Sequence, residues 1–311
     1  MLTIGWALPS IGQPPLPPVT HTVKLAIISE GFHMWPLYVA HAKRFFERAS
    51  VTIDITLTGA SVPQLAGLTA GDYDIGLQQS DHVVRAVERG SDLFIFMANA
   101  HQPVLNLVVA PGIARFSDLR GKVVAVDGAR SGYALLQTKL LTGKGLSERD
   151  YTIIEAGGVK ARHDALKSGA AAAAWLNPPY DEWLFAGGYG SLGLVTDFFP
   201  SYPGSIAAAR RSWARQNEAQ LIAFIRAHNA AYAWLVDPRN QKEAEEIAVA
   251  RLKVDQKQAA AAYTAIKGKP NPAITPEGLR QVIDVVWEAE QFKQPKGAPE
   301  KYMDLSYLAK A

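Results

Sequence analysis

The segment Asp127-Gly-Ala-Arg-Ser-Gly-Tyr133 holds the residue types best suited to gripping a small ligand. Small residues let the backbone approach a bound molecule, Ser131 can cap a helix or donate, and Arg130 can pair with a carboxylate or sulfonate. The same residues also suit a plain turn at Gly128 and Gly132 with Arg130 facing solvent. The segment lacks the Gly-Lys-Ser/Thr ending of a phosphate-binding loop. Trp35, Tyr133, Trp175 and Tyr180 could wall an apolar or planar ligand body, although Trp175 follows five alanines and reads equally as core. His33, His82 and His101 have no ligand spacing on a common element, so no metal is expected. His33 fits better as a loop imidazole that hydrogen-bonds a ligand.

Nucleophilic catalysis has little to work with. The chain has no Cys and no Gly-x-Ser-x-Gly elbow. Asp72/Asp74 and Asp181/Glu182 read as surface or capping pairs. Lys160 would carry a Schiff base only if burial lowered its pKa. No catalytic residue and no cofactor is expected.

Positioning these residues requires alternating strands and helices. Strands are expected at 23–28, 51–57, 74–77 and 93–98, with helices at 37–46, 63–70 and 81–88 between them. The pattern restarts after Pro103 with strands at 105–110, 122–126, 151–155 and 171–176, interleaved with helices at 133–142, 159–167 and 179–185. This grammar gives an α/β protein of two lobes, each a mostly parallel sheet flanked by helices. After Pro203 the chain reads as largely helical. Thr275-Pro276-Glu277 is a helix start, and a stripe from Leu221 to Leu235 needs an apolar surface, for which the first lobe is the natural partner.

In open α/β sheets ligands bind beyond the carboxyl ends of the strands. That rule selects the loops 29–35, 59–61, 78–80, 127–133 and 175–177. The candidate ligand-binding residues are His33, Trp35, Ser61, Gln79, Ser80, Arg130, Ser131, Gly132, Tyr133 and Asn177.

A chain of 311 residues, 48% apolar, is long enough to expect more than one core. Its net charge of +3 is spread out, and the densest basic runs are only the pairs Lys43-Arg44 and Arg210-Arg211, which excludes a nucleic-acid footprint. No apolar run approaches the roughly 20 residues of a membrane helix. Residues 1–22 carry an apolar stretch without a basic n-region, then Gln13-Pro14-Pro15-Leu16-Pro17-Pro18, so they read as an extended Pro-rich segment and not as a signal peptide.

The order of several motifs resembles the NMT1/THI5-like branch of type II periplasmic solute-binding proteins, which includes receptors similar to SsuA and TauA. The motifs are the run from Gly31 to Phe46, Leu68-x-x-Gly-x-Tyr-Asp-Ile-Gly76, Phe116-Ser-Asp-Leu-Arg-Gly-Lys-Val-Val-Ala-Val126, Ala165-Leu-Lys-Ser-Gly169, Asn177-Pro-Pro-Tyr180 and the run from Tyr302 to Leu308. The resemblance implies lobe 1 at 23–98 plus 203–311 and lobe 2 at 99–202, with ligand between them. It implies a monomer that captures a sulfonate, carboxylate or pyrimidine-like compound for an ABC permease, and a periplasmic address; without a recognisable leader a cytoplasmic one stays open. The alternative is an enzyme on the same scaffold, desulfinase or pyrimidine-synthase-like, using His33 and Arg130. The Cys-rich motif of the yeast pyrimidine-forming enzymes is absent.

Overall fold

The computed structural model describes residues 21–100, 105–129, 131–200 and 202–311. The strands are β1 (His21–Ile27), β2 (Val51–Leu57), β3 (Ile75–Gln78), β4 (Leu93–Ala98), β5 (Asn106–Val109), β6 (Val123–Val126), β7 (Thr152–Glu155), β8 (Ala173–Leu176), β9 (Gly190–Leu194) and β10 (Ile206–Arg210). The helices are α1 (Trp35–Ala42), α2 (Phe45–Arg48), α3 (Ser61–Ala70), α4 (Ser80–Glu88), α5 (Gly132–Gly143), α6 (Val159–Lys167), α7 (Tyr180–Phe185), α8 (Val195–Phe198), α9 (Arg211–Gln216), α10 (Glu218–Val236), α11 (Gln241–Leu252), α12 (Gln256–Ile266), α13 (Pro276–Glu290) and α14 (Ser306–Ala309).

The strands form two five-stranded sheets, ordered β2-β1-β3-β10-β4 and β7-β6-β8-β5-β9. In the first, β1 pairs in parallel with β2 and β3, while β10 runs antiparallel between β3 and β4. In the second, β6 pairs in parallel with β7 and β8, and β5 runs antiparallel between β8 and β9. Each sheet therefore has four strands pointing one way and one against them. The reversed strand in each lies at a place where the chain passes from one sheet to the other. These are the two lobes of a type II periplasmic binding protein fold, each a mostly parallel sheet with helices on its faces.

Three local differences from expectation have physical causes. The strand β1 begins at His21, two residues before Val23, because His21 and Thr22 find register partners in Val51 and Thr52. The helix expected at 37–46 breaks where Arg44 adopts a left-handed backbone (φ 58°), giving α1 and α2. Ile206-Ala-Ala-Ala-Arg210, read within a helical tail, is the strand β10. Alanine favours helix, but β3 and β4 leave between them a slot whose backbone groups must be paired, and pairing overrides propensity. Ala207, Ala208 and Ala209 are fully buried there.

One face of the first sheet carries an aromatic core in which Trp35, Tyr38, Phe46, Phe94, Phe96, Phe224 and Tyr263 pack together under α1 and α10 to α12. The helical C-terminal part thus covers the first lobe. A second core is shared: Ile95 and Ile206 of the first sheet, Leu107 and Trp175 of the second, and helices α4, α5 and α13 contribute to one cluster. The outer face of the second sheet has a smaller core built from Val108, Ala125, Val159, Leu166, Ala174, Leu176 and Leu184.

Candidate functional site

Where the two sheets face each other, a cavity of about 220 Å³ is lined by residues of both lobes. The first lobe brings the turn after β1, with Ser29, Phe32, His33 and Met34, and the end of β3, with Leu77, Gln78 and Gln79. The second brings Asp127 from the end of β6, Tyr133 from α5, Gly158, Val159 and Arg162 from the start of α6, and Asn177 beyond β8. Strand ends and helix starts supply these groups because only there do side chains and free backbone N–H groups reach past the sheet edge.

Hydrogen bonds across the cleft hold the lobes together. Asn177 Nδ2 lies 3.3 Å from His33 Nδ1. The Gly158 N–H donates to the Gly59 carbonyl at 3.0 Å, and a Cβ at position 158 would stand 2.8 Å from that same oxygen. At the rim, Trp183 Nε1 donates to Gln258 Oε1 at 3.4 Å. Behind the cavity Gly132 lies against Asp81 so tightly that a Cβ there would stand 1.8 Å from Asp81 Oδ1.

The crossings are tied at Asn99, which is fully buried. Its side-chain amide donates to the His33 carbonyl (3.2 Å) and to Ser205 Oγ (3.1 Å), and its N–H donates to the Ser205 carbonyl (3.0 Å). Its Oδ1 accepts from His228 Nε2 at 3.1 Å. One side chain therefore links both connections to the loop that carries His33.

Burial sets the charge states around the cavity. Desolvation pushes the His33 pKa down to about 4, so the imidazole is neutral near pH 7. The Tyr133 phenol is pushed well up by the same cause, with the field of Asp81 adding to it, and stays protonated. Arg162 is only 7% exposed. Desolvation lowers its pKa while Asp127 and Tyr133 oppose that shift. Its Nε donates to the Trp175 carbonyl at 3.0 Å and its Nη1 to the Gly157 carbonyl at 2.9 Å, so backbone fixes the guanidinium.

Of the residues expected from sequence, His33, Trp35, Gln79, Tyr133 and Asn177 line this cavity. Trp35 is not on a loop: it opens α1, is 1% exposed, and its indole N–H donates to the Ala244 carbonyl at 3.0 Å, so it is core with one edge at the cavity. Ser61, Ser80, Ser131 and Gly132 are buried at helix starts away from the lining. Ser80 Oγ donates to the Pro203 carbonyl at 2.6 Å, and Ser131 Oγ caps α5 by accepting from the Ala134 N–H at 3.3 Å. Arg130 and His101 lie outside the described residues. Trp175 is core, and Tyr180 does not line the cavity. Arg162 is the charged lining residue that sequence reasoning missed, along with Gly158, Val159 and the helical residues Tyr232, Leu235 and Ile266. Among the described residues no three His, Cys, Asp or Glu side chains gather as a metal site, and no helix is long and apolar enough to cross a membrane.

Residues 32–241, more than half of the chain, match the family described as NMT1/THI5 like. The chain belongs to that family. Among its relatives is the 4-amino-5-hydroxymethyl-2-methylpyrimidine phosphate synthase of Schizosaccharomyces pombe, 28% identical over 129 residues. That match covers 40% of this chain and 36% of the enzyme, so it spans well under half of either. The NMT1/THI5-like chain also shares its fold with solved structures. The ligand-binding component of an ABC-type import system from Staphylococcus aureus, with zinc bound, superposes with a TM-score of 0.78 at 13% identity, over 94% of this chain and 99% of that one. The alkanesulfonate-binding protein SsuA from Xanthomonas axonopodis pv. citri, bound to MOPS, gives 0.73 at 18% identity, over 91% and 98%. At these identities the likeness is one of fold.

Proposed function

We propose that this protein is the solute-binding component of an ABC importer, capturing one small organic anion or aromatic or heteroaromatic compound between its lobes and delivering it to a permease. The observation that carries this reading is the cavity lined from both lobes and bridged by hydrogen bonds, which is what closure around a ligand requires. We assign lobe 1 to residues 23–98 plus 203–311 and lobe 2 to 99–202. His33, Gln79, Tyr133 and Asn177 contact the ligand together with Asp127 and Arg162, and Trp35 backs the apolar wall. The protein acts as a monomer in the periplasm, as the family's importer branch does.

A thermal-shift screen of sulfonates, carboxylates and pyrimidines tests the reading, because a ligand that binds only the folded state must raise the Tm. One class is expected to raise it in a concentration-dependent way. If no member of any class does, the binding function is wrong.

A second reading is favoured by the partial match to a pyrimidine phosphate synthase. On that reading the protein is an enzyme in which His33, a neutral imidazole at pH 7, exchanges a proton with substrate and Arg130 holds the substrate's anionic group. Prolonged incubation with a compound found in the screen, followed by mass spectrometry, separates the two readings. Recovery of unchanged compound sinks the enzyme.

A further inference from the structure

We infer that the ligand carries no net negative charge and presents at least two N–H or O–H donors, one of them to Asp127, which makes Asp127 the residue that sets specificity. This deepens the proposed binding function and rests on it.

The charged side chains that line the cavity, among the described residues, are Asp127 and Arg162. His33 beside them has lost its charge to burial. Arg162 has no carboxylate within ion-pair distance among the described residues, yet Asp127 is close enough to act on it electrostatically. Among the described residues the lining is therefore balanced, one negative against one positive. An anionic ligand would disturb that balance, because its charge would be set against Asp127 in a water-poor site where like charges repel strongly.

The hydrogen-bonding capacity points the same way. Asp127 Oδ1, Gln79 Oε1 and both polar atoms of the Gln78 amide are buried and have no hydrogen-bond partner among the described residues. A buried polar atom of this kind costs stability until something satisfies it. Three of the four are oxygens, which only accept. A carboxylate or sulfonate also only accepts, so it leaves Asp127 and Gln79 unsatisfied. An amide, amine or hydroxyl donates to both. The neighbouring Gln78 Nε2 can then donate to a ligand acceptor. Apolar side chains make up much of the remaining lining, Phe32, Leu77, Leu235 and Ile266 among them, and a cavity of about 220 Å³ suits a single flat ring with short polar substituents.

Three probes built on one benzene ring separate charge from ring: benzamide, which is neutral and donates two N–H bonds, benzoate, which matches its planar shape, and benzenesulfonate. Their affinities are read by ligand-observed NMR titration of the full chain at millimolar concentration. Benzamide is expected to bind at least tenfold more tightly than either anion, and the non-anionic members of the thermal-shift panel to outrank the anionic ones. Asp127→Asn, which keeps the shape and removes the charge, is expected to reverse the order, weakening benzamide at least tenfold and strengthening benzoate. Should that variant fail to fold, the order measured on the unaltered protein decides by itself. An order led by an anion, in this series or in the panel, overturns the inference and leaves the binding function standing. Silence from all three probes and from the whole panel overturns both.

Discussion

The two lobes repeat one strand order, yet they are built from different materials. The first sheet is clamped by large aromatic side chains, with Phe46 and Phe224 stacked at 5.6 Å and Phe96 edge-on to Phe224 at 6.2 Å. The second relies on alanines and short aliphatic groups on its outer face, where Ala125 of β6 and Ala174 of β8 leave little bulk above the sheet. The charges are distributed the other way. Asp127 and Arg162 both come from the second lobe, and the first contributes neutral His33 and the amides of Gln78 and Gln79. The lesson is a division of labour, in which a stiff apolar half holds one wall and a lighter half carries the ionic groups onto it.

The largest test of this contrast lies in the cores. Phe224→Ala removes a fully buried ring that touches Phe46, Phe96 and His228 and is expected to cost about 3–5 kcal/mol. Leu184→Ala, in the outer core of the second sheet, should fall at the low end of the range for such deletions, about 2 kcal/mol. Urea unfolding measures both. Equal costs would mean that the two lobes are equally well packed and would break the contrast.

Acid should divide the lobes next. In the first lobe His33 and His228 have pKa values pushed down to about 4 by burial. Between pH 4 and 6.5 the unfolded chain binds protons that these folded imidazoles do not, so their contribution to stability is full above pH 6.5 and is lost as pH falls. In the second lobe burial pushes Asp181 up to about 7. Between pH 4 and 7 the folded carboxyl holds a proton that the unfolded one has released, so its contribution falls as pH rises. Each group changes stability by at most about 1.4 kcal/mol per pH unit within its window. Unfolding free energies measured from pH 4 to 7 should therefore show a steeper rise with pH in Asp181→Asn and a shallower one in His228→Gln. Identical slopes in both variants and the parent would remove the electrostatic side of the comparison.

Sequence made the alternation of strands and helices legible because the short apolar runs end at polar or turn-forming residues such as Ser29, Gln78, Asn99, Pro111 and Asp127. It concealed β9 and β10, since Gly190-Ser-Leu-Gly-Leu194 and Ile206-Ala-Ala-Ala-Arg210 have weak strand character and owe their form to partners far away in the chain. For the site, the strand-end rule finds the loops bearing His33, Gln79, Asp127, Tyr133 and Asn177. It did not separate Ser61, Ser80 and Ser131, which are buried at helix starts, Ser131 as a cap and Ser80 bonded to the Pro203 carbonyl, from residues that reach the cavity, because a small hydroxyl at such a position suits both tasks. Arg162 was hidden by its place inside a polar helix, where arginine ordinarily faces water. The signal that could have found it was Gly157-Gly158 at the carboxyl end of β7, a sixth loop obeying the same rule as the five chosen.

The smallest expected effect on stability concerns the seam between the lobes, and it bears most directly on function. Gly132 opens α5 of the second lobe and lies against Asp81 on α4 of the first, a carboxylate that is fully buried and held by Arg85 at 2.5 Å. Asp81 cannot swing away without leaving Arg85, so the added methyl of Gly132→Ala must push the lobes apart. Overpacking of this kind costs about 1–3 kcal/mol, and the lower part of that range is expected because two bodies can separate where a single core cannot. Gly143→Ala, at the far end of the same helix with open space around it, is the control and should be neutral or stabilising by up to about 1 kcal/mol. Small-angle scattering should find a larger radius of gyration in Gly132→Ala alone, with weaker ligand binding than the control shows. A Gly132→Ala protein as compact and as competent as the control would mean that the seam yields without opening, and that the stiff lobe and the light one are less independent than their cores suggest.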